Sequence, residues 1–157
     1  MSTKDEAGST RSFAASENLP YARPMPTRRV GIDLGTTNTL LYVPRRGVVV
    51  HEPTVVAVSL DDHRILAIGE AAKEMLGRTP ENMQACQPLR DGVISDFDAA
   101  VSLLTHYIRL VHEHPRNPFL PKIPRPKVVI GIPSGVTEVE RRAVQEAAIV
   151  AGARAAF

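Results

Sequence analysis

The stretch that most constrains the fold of this chain lies at residues 29–43 and reads RVGIDLGTTNTLLYV. Apolar runs on either side of a Gly-Thr-Thr turn predict two short strands joined as a hairpin. Gly35 can adopt backbone angles that other residues resist, and Thr36, Thr37 and Asn38 supply backbone N–H groups and short polar side chains. A turn of this composition can cradle a phosphate group.

Asp33 ends the first predicted strand, so its carboxylate would lie beside a phosphate bound at the turn and could hold Mg²⁺ through water. The same residues have a second interpretation. Asp-x-Gly-Thr also occurs in ordinary hairpins, in which Asp and Asn side chains bond to the turn backbone. The hairpin alone therefore leaves open both a nucleotide site and a plain turn.

Longer sequence words extend the comparison beyond the hairpin. IDLGTTNT resembles the first phosphate motif of the superfamily that contains actin, the sugar kinases and the DnaK-type chaperones. HEPTVVAV, EAAKEMLGRTP, PLRDGVISDFD and IPSGVTEVERRAVQEAAIVAGAR are similar, in this order, to the MreB family of bacterial actins. The resemblance covers about residues 29–157. It implies an α/β actin-like ATPase (ribonuclease H-like) fold, here the incomplete N-terminal half, in which residues 52–80 form a small inserted subdomain.

The resemblance also implies a function, namely an ATP-binding cytoskeletal filament that organises cell-wall elongation and rod shape. ATP and Mg²⁺ are the implied cofactors, with Gly35, Thr36, Thr37 and Asn38 at the phosphates and Asp33 at the metal. The implied partners are further copies of the chain, the inner membrane surface and the cell-wall elongation machinery. The implied location is cytoplasmic, peripheral to the inner face of the cell membrane.

Composition narrows the alternatives. The chain has 157 residues, of which 43% are hydrophobic, and this suffices for a packed core. A net charge of +2 gives no support to nucleic-acid binding. The single cysteine, Cys86, excludes an internal disulfide and fits a reducing compartment. Residues 1–28, rich in Ser, Thr, Ala and Pro, are predicted to be a disordered leader, and residues 114–126, with five prolines, a surface loop.

The remaining patterns predict strands and helices with defined faces. Strands are expected at 30–33, 39–43, 48–51, 54–60 and 65–68, and helices at 70–76, 96–112 and 138–151. The second helix is expected to bury Phe97, Val101, Leu104, Ile108 and Val111, and the third Val139, Ala143, Ala147 and Val150. Thr137 and Glu140 have the spacing of a capping box. Residues 127–132 form a nearly continuous apolar run, which predicts an inner strand covered on both faces.

Asp61, Asp62 and His63 are polar neighbours that invite a metal assignment. They fall at the predicted tip of a hairpin, where such residues are more often solvated, so no metal site is expected there. Val139 and the charged residues beside it are interface candidates, because the corresponding helix of the family partly faces a paired protofilament.

Two family features do not occur in the sequence: the Glu-Pro-Met-Ala-Ala word, whose glutamate positions the attacking water, and the second phosphate loop. No catalytic residue is therefore assigned, and little ATP hydrolysis is expected from this polypeptide alone. The sequence is either part of a longer protein or a short protein in its own right. The alternative function is a truncated, non-catalytic module that binds or modulates filaments of a full-length relative through surfaces near Val101 and Val139. A third possibility is an enzyme of the sugar-kinase branch, which shares the phosphate hairpin. It would need a catalytic aspartate that binds the sugar, and the MreB-like segments after the hairpin argue against it.

Overall fold

The structure is a computed structural model that describes residues 29–78, 82–112 and 124–157. The disordered leader predicted for residues 1–28, and residues 114–123 of the predicted proline-rich loop, lie outside these ranges. The strands within them are β1 (Arg29–Leu34), β2 (Asn38–Val43), β3 (Gly47–Pro53), β4 (Val56–Ser59), β5 (Ile65–Ile68), β6 (Met83–Cys86), β7 (Leu89–Arg90), β8 (Val93–Ile94), β9 (Lys127–Gly131) and β10 (Ala155–Ala156). The helices are α1 (Glu70–Leu76), α2 (Phe97–Val111) and α3 (Glu138–Val150).

The main sheet has five strands in the order β10-β9-β1-β2-β3. Strands β1, β2 and β3 form the predicted antiparallel meander, which is confirmed. Strands β9 and β10 run parallel to β1, and α3 makes the crossover between them. This arrangement places the carboxyl ends of β1 and β9 at one edge of the sheet, next to the β1–β2 turn.

One face of the main sheet is covered by α2 and α3. Because side chains alternate along a strand, β1 turns Val30, Ile32 and Leu34 to this face. Leu41 of β2 and Val128 of β9 join them, and both are fully buried. Buried side chains of both helices belong to the same cluster, so the sheet and the helices share one core.

Helix α2 begins at the N-cap Asp96, whose Oδ1 accepts a hydrogen bond of 2.9 Å from the backbone N–H of Ala99. The extent of the helix agrees with the prediction, but its buried face is only partly as predicted. Phe97 is 38% exposed, whereas Leu103 and Tyr107 are fully buried. The stripe is shifted because the helix packs through its small residues as well. Its buried residues are Ala99, Ala100, Leu103, Leu104, Tyr107, Ile108 and Val111.

Helix α3 has the predicted capping box. The Thr137 hydroxyl accepts from the Glu140 N–H at 3.3 Å, and the Glu140 carboxylate accepts from the Thr137 N–H at 2.6 Å. The predicted inward face was right for Ala147, which is fully buried, but wrong for Val139, which is 78% exposed, and for Val150, which is also exposed. Besides Ala147, the helix buries Val144 and Ala148, and the two small alanines allow it to approach the sheet closely.

The second face of the main sheet is open in the described part of the chain. Tyr42 of β2 and Val129 of β9 lie on either side of Gly31 and are both more than half exposed. The prediction that β9 is covered on both faces is therefore wrong for the described residues. Val128 and Ile130 are buried on one side, and Val129 between them is exposed on the other.

A second, smaller sheet has three strands in the order β5-β4-β6, and α1 packs on it. Strand β5 and helix α1 have the predicted bounds, whereas β6 was not predicted. Gly69 precedes α1 with φ of 66°, and a Cβ at this position would overlap the Glu52 carboxylate. The Tyr107 hydroxyl donates to the same carboxylate at 3.4 Å. Gly69, Glu52 and Tyr107 thus join the small sheet to β3 and α2. The assignment of residues 52–80 to a separate subdomain stays a prediction.

Candidate functional site

The turn between β1 and β2 is closed by one short backbone hydrogen bond. The N–H of Gly35 donates to the carbonyl oxygen of Asn38 at 3.1 Å. A Cβ at Gly35 would lie 2.6 Å from that oxygen, so the turn tolerates only glycine without moving. No backbone acceptor in the described ranges takes the N–H of Thr36 or Thr37. The turn therefore presents two backbone donors, and Gly35 contributes space rather than a donor.

A buried threonine pair supports the turn from the side of the core. The Thr54 hydroxyl donates to the Gly35 carbonyl oxygen at 2.7 Å and lies 2.8 Å from the Thr39 hydroxyl. Since Thr54 has a single hydroxyl proton, Thr39 is the donor in the second contact. The backbone N–H of Thr54 also donates to the Thr37 carbonyl oxygen at 2.9 Å. These bonds fix the turn to the end of β3.

A second hairpin, formed by β7 and β8, supports the turn from the opposite side. Its tip has Asp91 and Gly92 with φ of 51° and 78°, the left-handed conformation that an Asp-Gly pair favours. The N–H of Gly92 donates to the Thr36 hydroxyl oxygen at 3.1 Å. This bond orients the Thr36 oxygen and leaves its proton for another acceptor. A Cβ at Gly92 would overlap the ring of Pro133, so glycine is required where this hairpin packs against the segment that follows β9.

Asp33 stands at the same edge, one residue before the end of β1. It pairs with Gly131, the last residue of β9, and its Oδ1 would lie 3.4 Å from a Cβ at that position. The missing side chain of Gly131 leaves the exposed carboxylate accessible next to the turn. Carboxylate oxygens are ligands that Mg²⁺ accepts directly or through water. In the described residues no group of three or more His, Cys, Asp or Glu side chains forms a metal cluster.

The hairpin tip at Asp61, Asp62 and His63 behaves as a solvated turn. Asp62 pairs with Arg64, and hydrogen bonds from the side chains of Ser59 and Arg64 lower the pKa of the Asp62 carboxyl.

The single cysteine, Cys86, lies apart from the β1–β2 turn, with its Sγ 3.3 Å from the Asp96 carboxylate. Burial and the neighbouring Asp96 raise the pKa of the Cys86 thiol to about 11. Its thiol is therefore protonated at neutral pH.

The structure brings all five predicted site residues to one edge of the main sheet: Asp33, Gly35, Thr36, Thr37 and Asn38. Their role in binding stays a prediction. Sequence reasoning missed the residues that hold this group in place, namely Thr39, Thr54 and Gly92, and also Gly131, which leaves space beside Asp33. The Asp-Gly pair in PLRDGVISDFD was a signal for the second hairpin. The threonine pair had no such signal, because its partners are 15 residues apart.

A model of the MreB/Mbl protein family matches residues 27–157 of the chain. The chain belongs to the MreB/Mbl family. It is 46% identical over 143 residues to the cell shape-determining protein MreB of Escherichia coli strain K12. The aligned residues cover 88% of this chain and 40% of the relative. The predicted resemblance is thereby confirmed. The chain spans less than half the length of the curated relatives it matches.

Two solved structures show the same fold as this MreB/Mbl chain. The crystal structure of MreB5 of Spiroplasma citri bound to ADP has a TM-score of 0.71 and 36% identity, over 88% of this chain and 38% of that chain. The MamK double helical filament has a TM-score of 0.64 and 23% identity, over 82% of this chain and 39% of that chain. The actin-like fold is therefore confirmed. Among the described residues, no helix of the MreB/Mbl chain is long and apolar enough to cross a membrane.

Proposed function

We propose that this chain supplies the nucleotide-facing N-terminal part of an ATP-binding filament protein that determines cell shape. The observation that carries the proposal is the Gly35–Asn38 turn, which is supported by a separate contact on each side and has Asp33 beside it. The chain's membership of the MreB/Mbl family supports the assignment. So does the similarity to MreB5 of Spiroplasma citri, which was crystallised with ADP.

Each residue of the turn has a distinct role in the proposal. The backbone N–H groups of Thr36 and Thr37 donate to phosphate oxygens, and the Thr36 hydroxyl, already oriented by Gly92, adds a third donor. Asn38 closes the turn through its carbonyl oxygen, and Gly35 allows the backbone to approach the phosphates closely. Asp33 holds Mg²⁺ through water, and the metal neutralises phosphate charge.

The proposed protein self-associates into filaments and contacts the inner membrane surface and the cell-wall elongation machinery. Helix α3 exposes Val139 in its first turn and Ile149 and Val150 in its last turn, and we propose that this exposed surface contacts another subunit. MamK, which has the same fold, forms a double helical filament. The same exposed surface also fits the alternative function, a non-catalytic module that binds filaments of a full-length relative.

Nucleotide titration tests the proposed site. A fluorescent ATP analogue is titrated into the chain with and without Mg²⁺, and the Asp33→Asn variant is compared with Asp61→Asn, a matched control at an exposed turn. We expect Asp33→Asn to weaken binding about 10-fold in Mg²⁺ and to remove the dependence on Mg²⁺, since it lacks the charge that holds the metal. The control should bind as the parent does. Equal affinities for the parent and Asp33→Asn would refute the assignment of Asp33.

Co-sedimentation with filaments of Escherichia coli MreB separates the two functions. Sedimentation that requires ATP supports the filament protein, whereas sedimentation without nucleotide supports the non-catalytic module. The Val139→Asp variant should sediment less in either case, because it places a charge on the exposed surface of α3. Val48→Asp, at an exposed valine of β3, is the matched control. An unchanged Val139→Asp variant would exclude α3 from the contact.

A further inference from the structure

A strongly basic depression lies at the edge of the main sheet opposite the candidate nucleotide site. It has a volume of about 300 Å³, and the described residues that line it are Arg29, Pro124, Arg125, Lys127 and Arg154. Four of these five side chains are cationic, and none is acidic. The whole chain, in contrast, has a net charge of only +2. The depression therefore concentrates positive charge locally.

The parallel strands explain why these cations meet. Arg29 begins β1 and pairs with Lys127, which begins β9, and Lys127 in turn pairs with the first residue of β10. Parallel strands that start in register place their first side chains at the same edge, about 4.8 Å apart from strand to strand. Arg154 precedes β10, and its N–H donates to the Pro126 carbonyl oxygen at 2.8 Å. Arg125 is the residue before Pro126, two positions ahead of the start of β9. The backbone therefore holds the four positions together.

The depression is separate from the Gly35–Asn38 turn. Asp33, whose carboxylate lies beside the turn, comes four residues after Arg29, which corresponds to about 13 Å along the strand. A phosphate bound at one end of β1 could not contact the other end. The two edges also differ in chemistry, since the turn offers backbone N–H groups and the depression offers charged side chains.

We propose that Arg29, Arg125, Lys127 and Arg154 form a second anion site that binds a phosphate group. Arg125, Lys127 and Arg154 are like charges that repel one another, and a multiply charged anion relieves that repulsion more than a single carboxylate does. Guanidinium groups also match the oxygens of a phosphate in a bidentate geometry. The phosphate belongs either to the headgroup of an anionic lipid or to a small soluble ion. The lipid source rests on the membrane contact proposed above, whereas the site itself does not depend on nucleotide binding.

The test compares two triple variants of the full chain that lose equal charge. The Arg125→Gln/Lys127→Gln/Arg154→Gln variant removes three of the four cations that line the depression. The Arg46→Gln/Lys73→Gln/Arg78→Gln variant removes three exposed cations elsewhere and is the matched control. Both are first melted by circular dichroism to establish that they fold. Binding is then measured by sedimentation with phosphatidylglycerol–phosphatidylcholine vesicles, with pure phosphatidylcholine vesicles, and by calorimetry with pyrophosphate.

If the phosphate is that of a lipid, the parent and the control bind the anionic vesicles and the depression variant binds on the order of 100-fold more weakly. If it is a small ion, the parent binds pyrophosphate and not vesicles, and only the depression variant loses this binding. That second result would remove the membrane contact and keep the site. Equal losses in the two variants would overturn the site and keep a general attraction to anionic surfaces. If the parent binds neither the anionic vesicles nor pyrophosphate, the proposal is also overturned. Binding of poly-glutamate would not rescue it, because poly-glutamate carries carboxylates and no phosphate.

Discussion

The two faces of the five-stranded sheet have similar residue types but different surroundings. On the covered face, Ile32, Leu41 and Val128 pack beneath α2 and α3 and are almost completely buried. On the open face, Tyr42 and Val129 are apolar as well, yet they are 51% and 59% exposed. Both sets alternate along the same strands. The difference shows that apolar character alone does not tell which face of a strand the described chain covers.

The two faces should contribute unequally to the stability of the fold. Folding free energy comes from apolar surface that is removed from water, so side chains of the covered face should contribute far more than those of the open face. At the end of the sheet where the β1–β2 and β7–β8 hairpins meet, stability depends instead on hydrogen bonds and on glycine residues that leave room for close packing. Substitutions at adjacent positions can separate these contributions.

The largest effect is expected from Leu41→Ala on the covered face. Leu41 is fully buried, so its truncation removes packed surface and leaves a cavity, at a cost of about 2–5 kcal/mol in the free energy of unfolding. Leu40→Ala is the matched control, because the neighbouring leucine points to the other face and is only half-buried. We expect it to cost less than about half as much. Urea denaturation measures both values, and equal costs would contradict the assignment of the two faces.

Gly92→Ala should have the next largest effect, at the edge where the two faces end. The new Cβ would overlap Pro133, and the residue has φ of 78°, which alanine resists. Together these effects should cost about 2–4 kcal/mol. Gly47→Ala is the matched control, since φ there is 79° but no atom lies within 4 Å of the position that a Cβ would take. It isolates the backbone strain, about 1 kcal/mol. A Gly92→Ala variant as stable as Gly47→Ala would refute the close contact between Gly92 and Pro133.

Thr54→Val should destabilise the chain by about 1–3 kcal/mol, because it leaves the Thr39 hydroxyl and the Gly35 carbonyl oxygen without a partner. The double variant Thr39→Val/Thr54→Val removes one of these unpaired groups and should recover part of the loss. Thermal unfolding of Thr39→Val, Thr54→Val and the double variant gives the comparison. A double variant whose loss equals the sum of the single losses would mean that the two threonines do not act as a pair.

Local signals allowed much of this fold to be predicted from the sequence. Turn residues and apolar runs predicted the meander, and the Thr137–Glu140 spacing predicted the start of α3. The inward face of α3 was predicted only at Ala147, because Val139 and Val150 are more apolar than the alanines that the helix buries. Close packing selected the small residues, and this depends on the sheet beneath the helix. Strand β6 was missed for a similar reason, since its residues show no alternation and its position follows from pairing with β4.

The candidate site also combines residues that a local motif predicts with residues that only the fold brings together. The residues of the turn and Asp33 are adjacent in sequence, so one short motif was enough to propose them. Their supports come from distant parts of the chain. Gly92 reaches Thr36 across 56 residues, and Thr54 reaches Gly35 across 19. Such contacts require the strand order, which a single sequence does not contain.

Val129→Thr should have the smallest effect, and it tests the open face directly. The side chain is more than half exposed, so a hydroxyl in place of a methyl group should change the free energy of unfolding by no more than about 0.5 kcal/mol. Val128→Thr, one residue earlier on the fully buried side of β9, is the matched control. There the hydroxyl is removed from water, and we expect a loss of about 1–3 kcal/mol. Urea denaturation of both variants measures the difference. A Val129→Thr variant that is destabilised as strongly as Val128→Thr would mean that another part of the protein covers the open face, and the contrast between the two faces would then disappear.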